Sequence, residues 1–290
     1  MFYKIGTAFL HLKPFDAEVL NEHILRMQIK APISHDKPEV TNVTEKKLPS
    51  ISIIIPVYNE EKRIERGLSR TLSFCQFAGW DYEIIVASEG SQDKTVELVE
   101  TRFHPSERIK LLTGSKRLGK GGSIKNAIQS VSKQYIAYMD VDLSADPSEF
   151  ARLLAHSDNF DIVLGSRIIR GDLAPIERPI SRTIFSHLYS TSFRVLFHTS
   201  IKDPQCGFKI FRKEFADTLF NTVSTNGFAF DSEVIARAIS LGASIKEIPI
   251  VWKHESYSKI SIPHQIMLMG KDLLSIRYRT LMDARTKMSR

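Results

Sequence analysis

From Ile51 onward, apolar runs of four to seven residues alternate with stretches patterned for helices, and nothing else in the chain limits its fold as tightly. ISIIIPV precedes EEKRIERGLSRTLSFCQFA, YEIIVA precedes KTVELVETRF, IKLL precedes KGGSIKNAIQSV, QYIAYMDVD precedes PSEFARLLAHS, and DIVLGSR closes the series. Strand and helix in this rhythm predict an α/β fold with a mostly parallel central sheet and helices on both faces. Ligands of such sheets bind beyond the carboxyl ends of the strands. That rule alone nominates Tyr58 to Glu60, Ser88 to Asp93, Gly114 to Gly122, Asp140 to Asp142 and Gly165 to Arg167.

Beyond Arg167 the rhythm loosens. A helical stretch, ISRTIFSHLYSTSFRVLF, is followed by KDPQCGFKIFR, a second helix around FDSEVIARAISLG, a strand around IKEIPIVW, and a last stretch, SIPHQIMLMGKDLLSIRYRTLM. Residues 1–48 mix short apolar patches with the aperiodic polar run SHDKPEVTNVTEKK and read as an arm or linker. The expected organisation is that arm, a domain over 49–255, and an amphipathic helical segment over 256–290.

Two cysteines, Cys75 and Cys206, are too few and too far apart for a disulfide framework or a zinc site, which points to a reducing compartment. No apolar segment runs uninterrupted for 18 residues, and Lys4, His11, Lys13 and Asp16 break up the start of the chain, so neither a membrane span nor a signal peptide is expected. A formal net charge of +7 and a pI near 9.3 suggest an acidic partner: nucleic acid, an anionic membrane surface or a phosphorylated substrate.

TGSKRLGKGGSIKNAIQS comes close to a phosphate-binding loop, since Gly114, Gly119 and Lys120 satisfy G-x-x-x-x-G-K. The next position should be a Ser or Thr that holds Mg2+, and here it is Gly121. The dinucleotide pattern G-x-G-x-x-G fails too, because Ile124 stands in the last glycine's place. What remains is a glycine-rich, basic turn before a helix N-terminus, with Lys120 and Lys125 nearby, suited to lie beside a diphosphate. A nucleotide-binding switch built on this loop stays as the alternative from another functional class.

DVD at 140–142 falls where a strand should end, with Asp146 beyond it. Two carboxylates at i and i+2 can both reach a divalent cation if the chain leaves the pleat there; otherwise they are turn and cap residues before Pro147. The pair has company. IIIPVYNEE at 53–61, EGSQDKT at 89–95, the LGKGG loop, DVD, GSR at 165–167, DPQCGFKIF at 203–211 and FAFDSEV at 228–234 succeed one another in the order seen in inverting family 2 glycosyltransferases of the GT-A, Rossmann-like fold. Between residue 50 and 282 the chain most resembles the polyprenyl-phosphate hexosyltransferases, and QCGFK, AFDSE and MGKDLLSIRYR resemble the glucosyl branch.

The resemblance implies transfer of a hexose, glucose before mannose, from a nucleotide diphosphate sugar of the UDP-glucose or GDP-mannose type to a polyprenyl phosphate. Pro56, Tyr58, Glu60 and Glu89 would line the donor pocket with Lys120 and Gly121, although relatives usually carry Asp-Asp where this chain has Ser88 and Glu89. Asp140 and Asp142 would hold Mg2+ or Mn2+ on the diphosphate, Asp140 also touching the donor. Arg167, Arg178, Arg182, Gln205 and Lys259 would hold the acceptor, the guanidinium fork suiting phosphate oxygens. Asp231 would orient the sugar, act as a base or cap a helix. No nucleic acid is expected as a partner.

A lipid-linked acceptor implies contact with a bilayer, here peripheral, on the cytosolic face of a membrane. Ile262, Ile266, Met269, Leu273 and Ile276 recur at helical spacing beside Lys271, Arg277 and Arg279, a pattern that fits either an interfacial helix or a core helix with a basic edge. A soluble or polysaccharide acceptor is the alternative on the same fold.

Overall fold

The computed structural model describes residues 49–103, 108–169, 180–253 and 262–288, with only the backbone of helical residues 180–184, 262–269, 284, 287 and 288. The arm assigned to 1–48 lies outside the described residues. Lys47–Arg290 forms one compact unit.

Its strands are β1 (Ser50–Val57), β2 (Asp81–Glu89), β3 (Ile109–Gly114), β4 (Tyr135–Tyr138), β5 (Ile162–Ser166), β6 (Lys209–Arg212) and β7 (Ile245–Pro249). The helices are α1 (Ile64–Phe77), α2 (Thr95–Arg102), α3 (Gly119–Ile128), α4 (Glu149–Ser157), α5 (Ile180–Phe197), α6 (Lys213–Phe220), α7 (Phe230–Ser240) and α8 (Ile262–Met288). The sheet order is β3-β2-β1-β4-β6-β5-β7, and every pairing is parallel except the two made by β6. The parallel α/β sheet is therefore as expected, while the sequence pattern does not separate β6 and α6 from their neighbours.

Side-chain alternation splits the core between the two faces of the sheet. Ile51, Ile53 and Ile55 of β1 pack on one face with Phe74, Ile84 and Phe150, and Ile54 packs on the other with Ile85, Tyr138 and Phe230. α1 buries Ile64, Leu68, Thr71, Phe74 and Cys75, one helical stripe, and stops at Gly79, whose φ of +65° a side chain would resist.

The direction of β6 decides what reaches the ligand-binding edge of the sheet. Its first residue, Lys209, pairs with Tyr138, the last residue of β4, so the DPQCGFK segment before it is delivered to the carboxyl ends of the parallel strands. A parallel strand in that slot would have brought its other end.

Candidate functional site

The loops after β1 and β2 are laced together. Asn59, at a φ of +55°, donates its backbone N–H to Ser91 Oγ at 3.2 Å and accepts from the Gln92 N–H at 2.8 Å. Glu60 donates its N–H to Thr95 Oγ1 at 2.7 Å, and its carboxylate holds Arg63 at 2.6 and 2.8 Å. Burial pushes the Glu60 carboxyl above its ordinary range despite Arg63, with Asp142 and Asp93 adding to the rise. Glu60 thus belongs to the same field as the carboxylates after β4. Pro56 and Tyr58 are half-buried, and the guanidinium of Arg117 lies 4.1 Å from the centre of the Tyr58 ring.

Glu89 ends β2 opposite Gly114, buried, and its Oε1 accepts from Asn126 Nδ2 at 2.7 Å. The glycines of the basic turn have a packing reason. A Cβ on Gly121 would sit 2.5 Å from the Phe230 ring, and the Gly121 N–H is donated to Asn226 O at 2.9 Å. Gly119, at a φ of +74°, faces the same carbonyl. The Gly121 N–H is thus already donated within the fold, and these glycines let α3 close on the 226–230 segment. Lys125 also turns away, reaching Ser224 O at 3.2 Å, so this turn gives Lys120 to the carboxylates and Arg117 to Tyr58.

After β4 the chain leaves the pleat, as two ligating carboxylates require: Leu143 adopts a φ of +60°, a conformation costly for a branched side chain. α1 braces the turn from behind. Gly67 brings it against Val141, where a Cβ would lie 2.5 Å from the Val141 carbonyl oxygen, and Arg70 grips Asp146 at 2.8 and 3.0 Å. Asp142 Oδ1 accepts the Ser144 N–H at 2.9 Å.

Asp140 Oδ1 lies 3.0 Å from Lys120 Nζ. Burial raises the Asp140 pKa; Lys120 opposes the rise, and Asp142 and Asp231 add to it. A divalent cation would relieve that repulsion. The donor set fits Mg2+ or Mn2+, which are commonly held by one or two carboxylates with phosphate and water completing the shell. Among the described residues no group of three or more His, Cys, Asp or Glu could hold a metal, so a diphosphate would have to supply the remaining ligands.

Asp231, second residue of α7, is 3% exposed. Its Oδ1 accepts from the Tyr138 hydroxyl at 2.7 Å and from Lys209 Nζ at 2.7 Å, and its Oδ2 lies 3.1 Å from Lys120 Nζ. Against burial, which raises it, the two lysines hold the Asp231 carboxyl below its ordinary range. Sequence reasoning missed Lys209 and Tyr138. A lone lysine inside the apolar run GFKIF was the available signal.

Of the acceptor candidates, Arg167 comes directly after β5 and its guanidinium is engaged by Asp203. Gln205 is half-buried next to the hydroxyl of Tyr189, whose pKa burial pushes up to about 12. Arg178 and Lys259 lie outside the described residues, as does the side chain of Arg182. Glu233, two residues after Asp231, is structural: it takes the backbone N–H groups of Ser224 at 3.2 Å and Thr225 at 2.6 Å.

The arrangement of a carboxylate pair after a strand end, a lysine on it and the interlaced loops after β1 and β2 can bind an anionic diphosphate through a cation. The family model described as "Glycosyl transferase family 2" matches residues 52–220. Dolichyl-phosphate beta-glucosyltransferase of Dictyostelium discoideum is 32% identical over 80% of this chain and 75% of that protein. Its human counterpart is 30% identical over 86% of this chain and 81% of that protein. Glycosyltransferase AglD of Haloferax volcanii is 30% identical over 77% of this chain, a match that spans 36% of AglD. Among solved structures, glucosyl-3-phosphoglycerate synthase from Mycobacterium tuberculosis in complex with Mn2+, uridine diphosphate and glucosyl-3-phosphoglycerate aligns with a TM-score of 0.59 at 14% identity over 80% of each chain, which shows the fold.

Proposed function

The chain belongs to glycosyl transferase family 2, and from that premise we propose that it transfers glucose, with inversion, from a nucleoside diphosphate sugar to dolichyl or another polyprenyl phosphate. It is a glycosyltransferase of α/β, GT-A architecture. The observation that carries the reading is the Asp140–Asp142 pair at the end of β4, with Lys120 at 3.0 Å, in a chain 32% identical to a dolichyl-phosphate beta-glucosyltransferase.

Asp140 and Asp142 would hold Mg2+ or Mn2+, which supplies positive charge against the charge that develops on the leaving diphosphate. Lys120 adds a second positive charge from the protein itself. The base and ribose would lie along Pro56, Tyr58, Glu60 and Glu89. A phosphate monoester acceptor is already an anionic nucleophile at neutral pH, so the reaction proceeds without a protein base. Asp231, both of whose oxygens face cations or a hydroxyl donor, is suited to orient rather than to accept a proton.

The acceptor sits in a bilayer, and we place the enzyme on the cytosolic face as a peripheral protein. Among the described residues no helix is long and apolar enough to cross a membrane. Purified protein incubated with Mn2+, dolichyl phosphate and either UDP-[14C]glucose or GDP-[14C]mannose should yield lipid-extractable label, more from the glucose donor. Label that stays in the aqueous phase with every donor, from folded protein, rules the lipid acceptor out.

A further inference from the structure

Lys209 has no exposed surface, in a strand whose neighbours are apolar, and the transfer chemistry gives it no duty. Its Nζ lies 2.7 Å from Asp231 Oδ1 and also donates to the Cys206 carbonyl. From there a line of alternating charge runs outward: Lys209, Asp231, Lys120, Asp140, with links of 2.7, 3.1 and 3.0 Å. Side-chain exposure rises along it, from 0% at Lys209 through 4% and 20% to 36% at Asp140. The buried end is the anchor and the open end is the carboxylate pair.

The local sequence is built around this line. Antiparallel β6 starts at Lys209, opposite Tyr138, which puts the ammonium on the same side as the Tyr138 hydroxyl and the first turn of α7. Gly207 leaves the room the line needs, because a Cβ there would stand 2.6 Å from both Asp140 Oδ2 and Lys120 Nζ. A buried ammonium without a counter-charge is strongly unfavourable, so Lys209 obliges Asp231 to be ionised. Asp231 in turn needs only one oxygen for Lys209 and Tyr138, and the other remains for Lys120.

Lysine is a flexible point charge whose freedom is costly to remove at the moment of binding. Held between Asp231 and Asp140, Lys120 has given up that freedom in advance, and an ammonium with three donors has one left for a ligand.

We propose that Asp231 and Lys209 are positioning residues, which hold the Lys120 ammonium beside Asp140 as a preset cation for the diphosphate of the donor. This rests on the reading of the site as one for a nucleoside diphosphate sugar. Lys209 prevents Asp231 from taking Lys120 for itself, and Asp231 prevents Lys120 from wandering.

The test is a double-mutant cycle on UDP and GDP binding by calorimetry, with and without Mn2+, joined to mass-spectrometric rates of Lys120 labelling by an amine-reactive reagent. Lys120→Met should weaken nucleotide binding about 10-fold, and Asp231→Asn about 5-fold in the wild-type background but less than about 2-fold in Lys120→Met. Labelling of Lys120 should speed up in Asp231→Asn and slow down in Lys209→Met, although both bind nucleotide more weakly. Equal losses in both backgrounds, a gain of affinity in Asp231→Asn, or unchanged labelling would overturn the proposal. If Lys209→Met does not fold, Tyr138→Phe, which likewise removes one competing donor from Asp231, takes its place and should slow labelling slightly. Wild-type protein that binds neither UDP nor GDP would sink the donor reading instead, while the labelling rates would still decide whether Asp231 fixes Lys120.

Discussion

Arg167 and Asp203 meet as a two-point ion pair, Nε to Oδ2 and Nη2 to Oδ1, both at 2.7 Å. The same Oδ2 accepts the Arg167 backbone N–H at 2.8 Å, and the guanidinium lies 5.1 Å from the centre of the Trp252 ring. Asp203 is 2% exposed and takes a further N–H–carboxylate contact into the fold, its own N–H donating to Glu247 at 2.6 Å. The pair therefore ties the end of β5 to the segment that leads into β6. Asp203→Asn should leave a half-buried guanidinium without its charge partner and cost about 2–3 kcal/mol, measured by urea unfolding. Arg167→Lys, which keeps the charge and loses the fork, should cost less; a loss below about 1 kcal/mol in Asp203→Asn would mean that the pair does not brace the fold.

Two glycines separate packing from chemistry. Gly121→Ala drives a methyl into the Phe230 ring, 2.5 Å away, and should lower stability by about 1–3 kcal/mol. Gly207→Ala drives one between Asp140 and Lys120, and should lower kcat sharply with a smaller change in Tm. The reverse pattern would mean that the Gly121 turn, not the carboxylate pair, is the chemical centre.

Asp142→Asn checks the cation. The bond from the Ser144 N–H ties Asp142 into the turn, and an amide oxygen can still accept there, so Tm should hold. Mn2+-dependent binding of UDP should fall by at least the roughly 10–100-fold expected from disturbing a ligand's support. Unchanged Mn2+ affinity by calorimetry would remove Asp142 from the metal site.

The strand–helix rhythm makes β1 to β5 legible because each is a short apolar run bounded by a turn, and the carboxyl-end rule then places Asp140, Asp142 and the loops after β1 and β2 at one edge of the sheet without a structure. β6 escapes because its direction is a tertiary fact: DPQCGFKIFR looks the same whether the strand runs up or down. Lys209, Asp231 and Tyr138 meet only through that direction. The glycine turn is ambiguous for a related reason, since a glycine that clears space for an anion and one that clears space for Phe230 are the same residue in sequence. On α8 the repeat leaves an interfacial helix and a core helix with a basic edge both open; Leu273 and Ile276 follow the second, 3% and 0% exposed.

Glu83 should give the fold an acid-sensitive joint. Burial pushes its carboxyl up, but hydrogen bonds from Lys110, Ser52 and Ser132 outweigh it and hold the pKa below the ordinary carboxylate range. A group depressed in the folded state contributes stability above its unfolded pKa and loses it as pH falls through the folded value. Wild-type stability should accordingly drop below about pH 4.5 more steeply than that of Glu83→Gln, which should be less stable at pH 7. Parallel pH curves for the two proteins would show that Glu83 makes no such contribution.

The exposed side of α8 carries the membrane expectation that Leu273 and Ile276 do not. Leu274, Tyr278, Leu281 and Met282 are 62%, 65%, 44% and 42% exposed, at i, i+4, i+7 and i+8, which places them on one face. Leu273, Ile276 and Thr280 point the other way, into the fold. Exposed Lys271 and Arg285 stand three to four residues from members of the stripe and so share its face. Apolar side chains flanked by cations suit an anionic bilayer surface, where each basic residue adds about 1 kcal/mol and each apolar one more as it leaves water. The protein should co-sediment with vesicles of phosphatidylserine and phosphatidylcholine, more weakly at high salt. Leu274→Asp with Leu281→Asp should cut binding about 10-fold or more with Tm unchanged, whereas Leu273→Asp should unfold the chain. Vesicle binding that survives the double substitution would move the membrane contact to another surface of the enzyme.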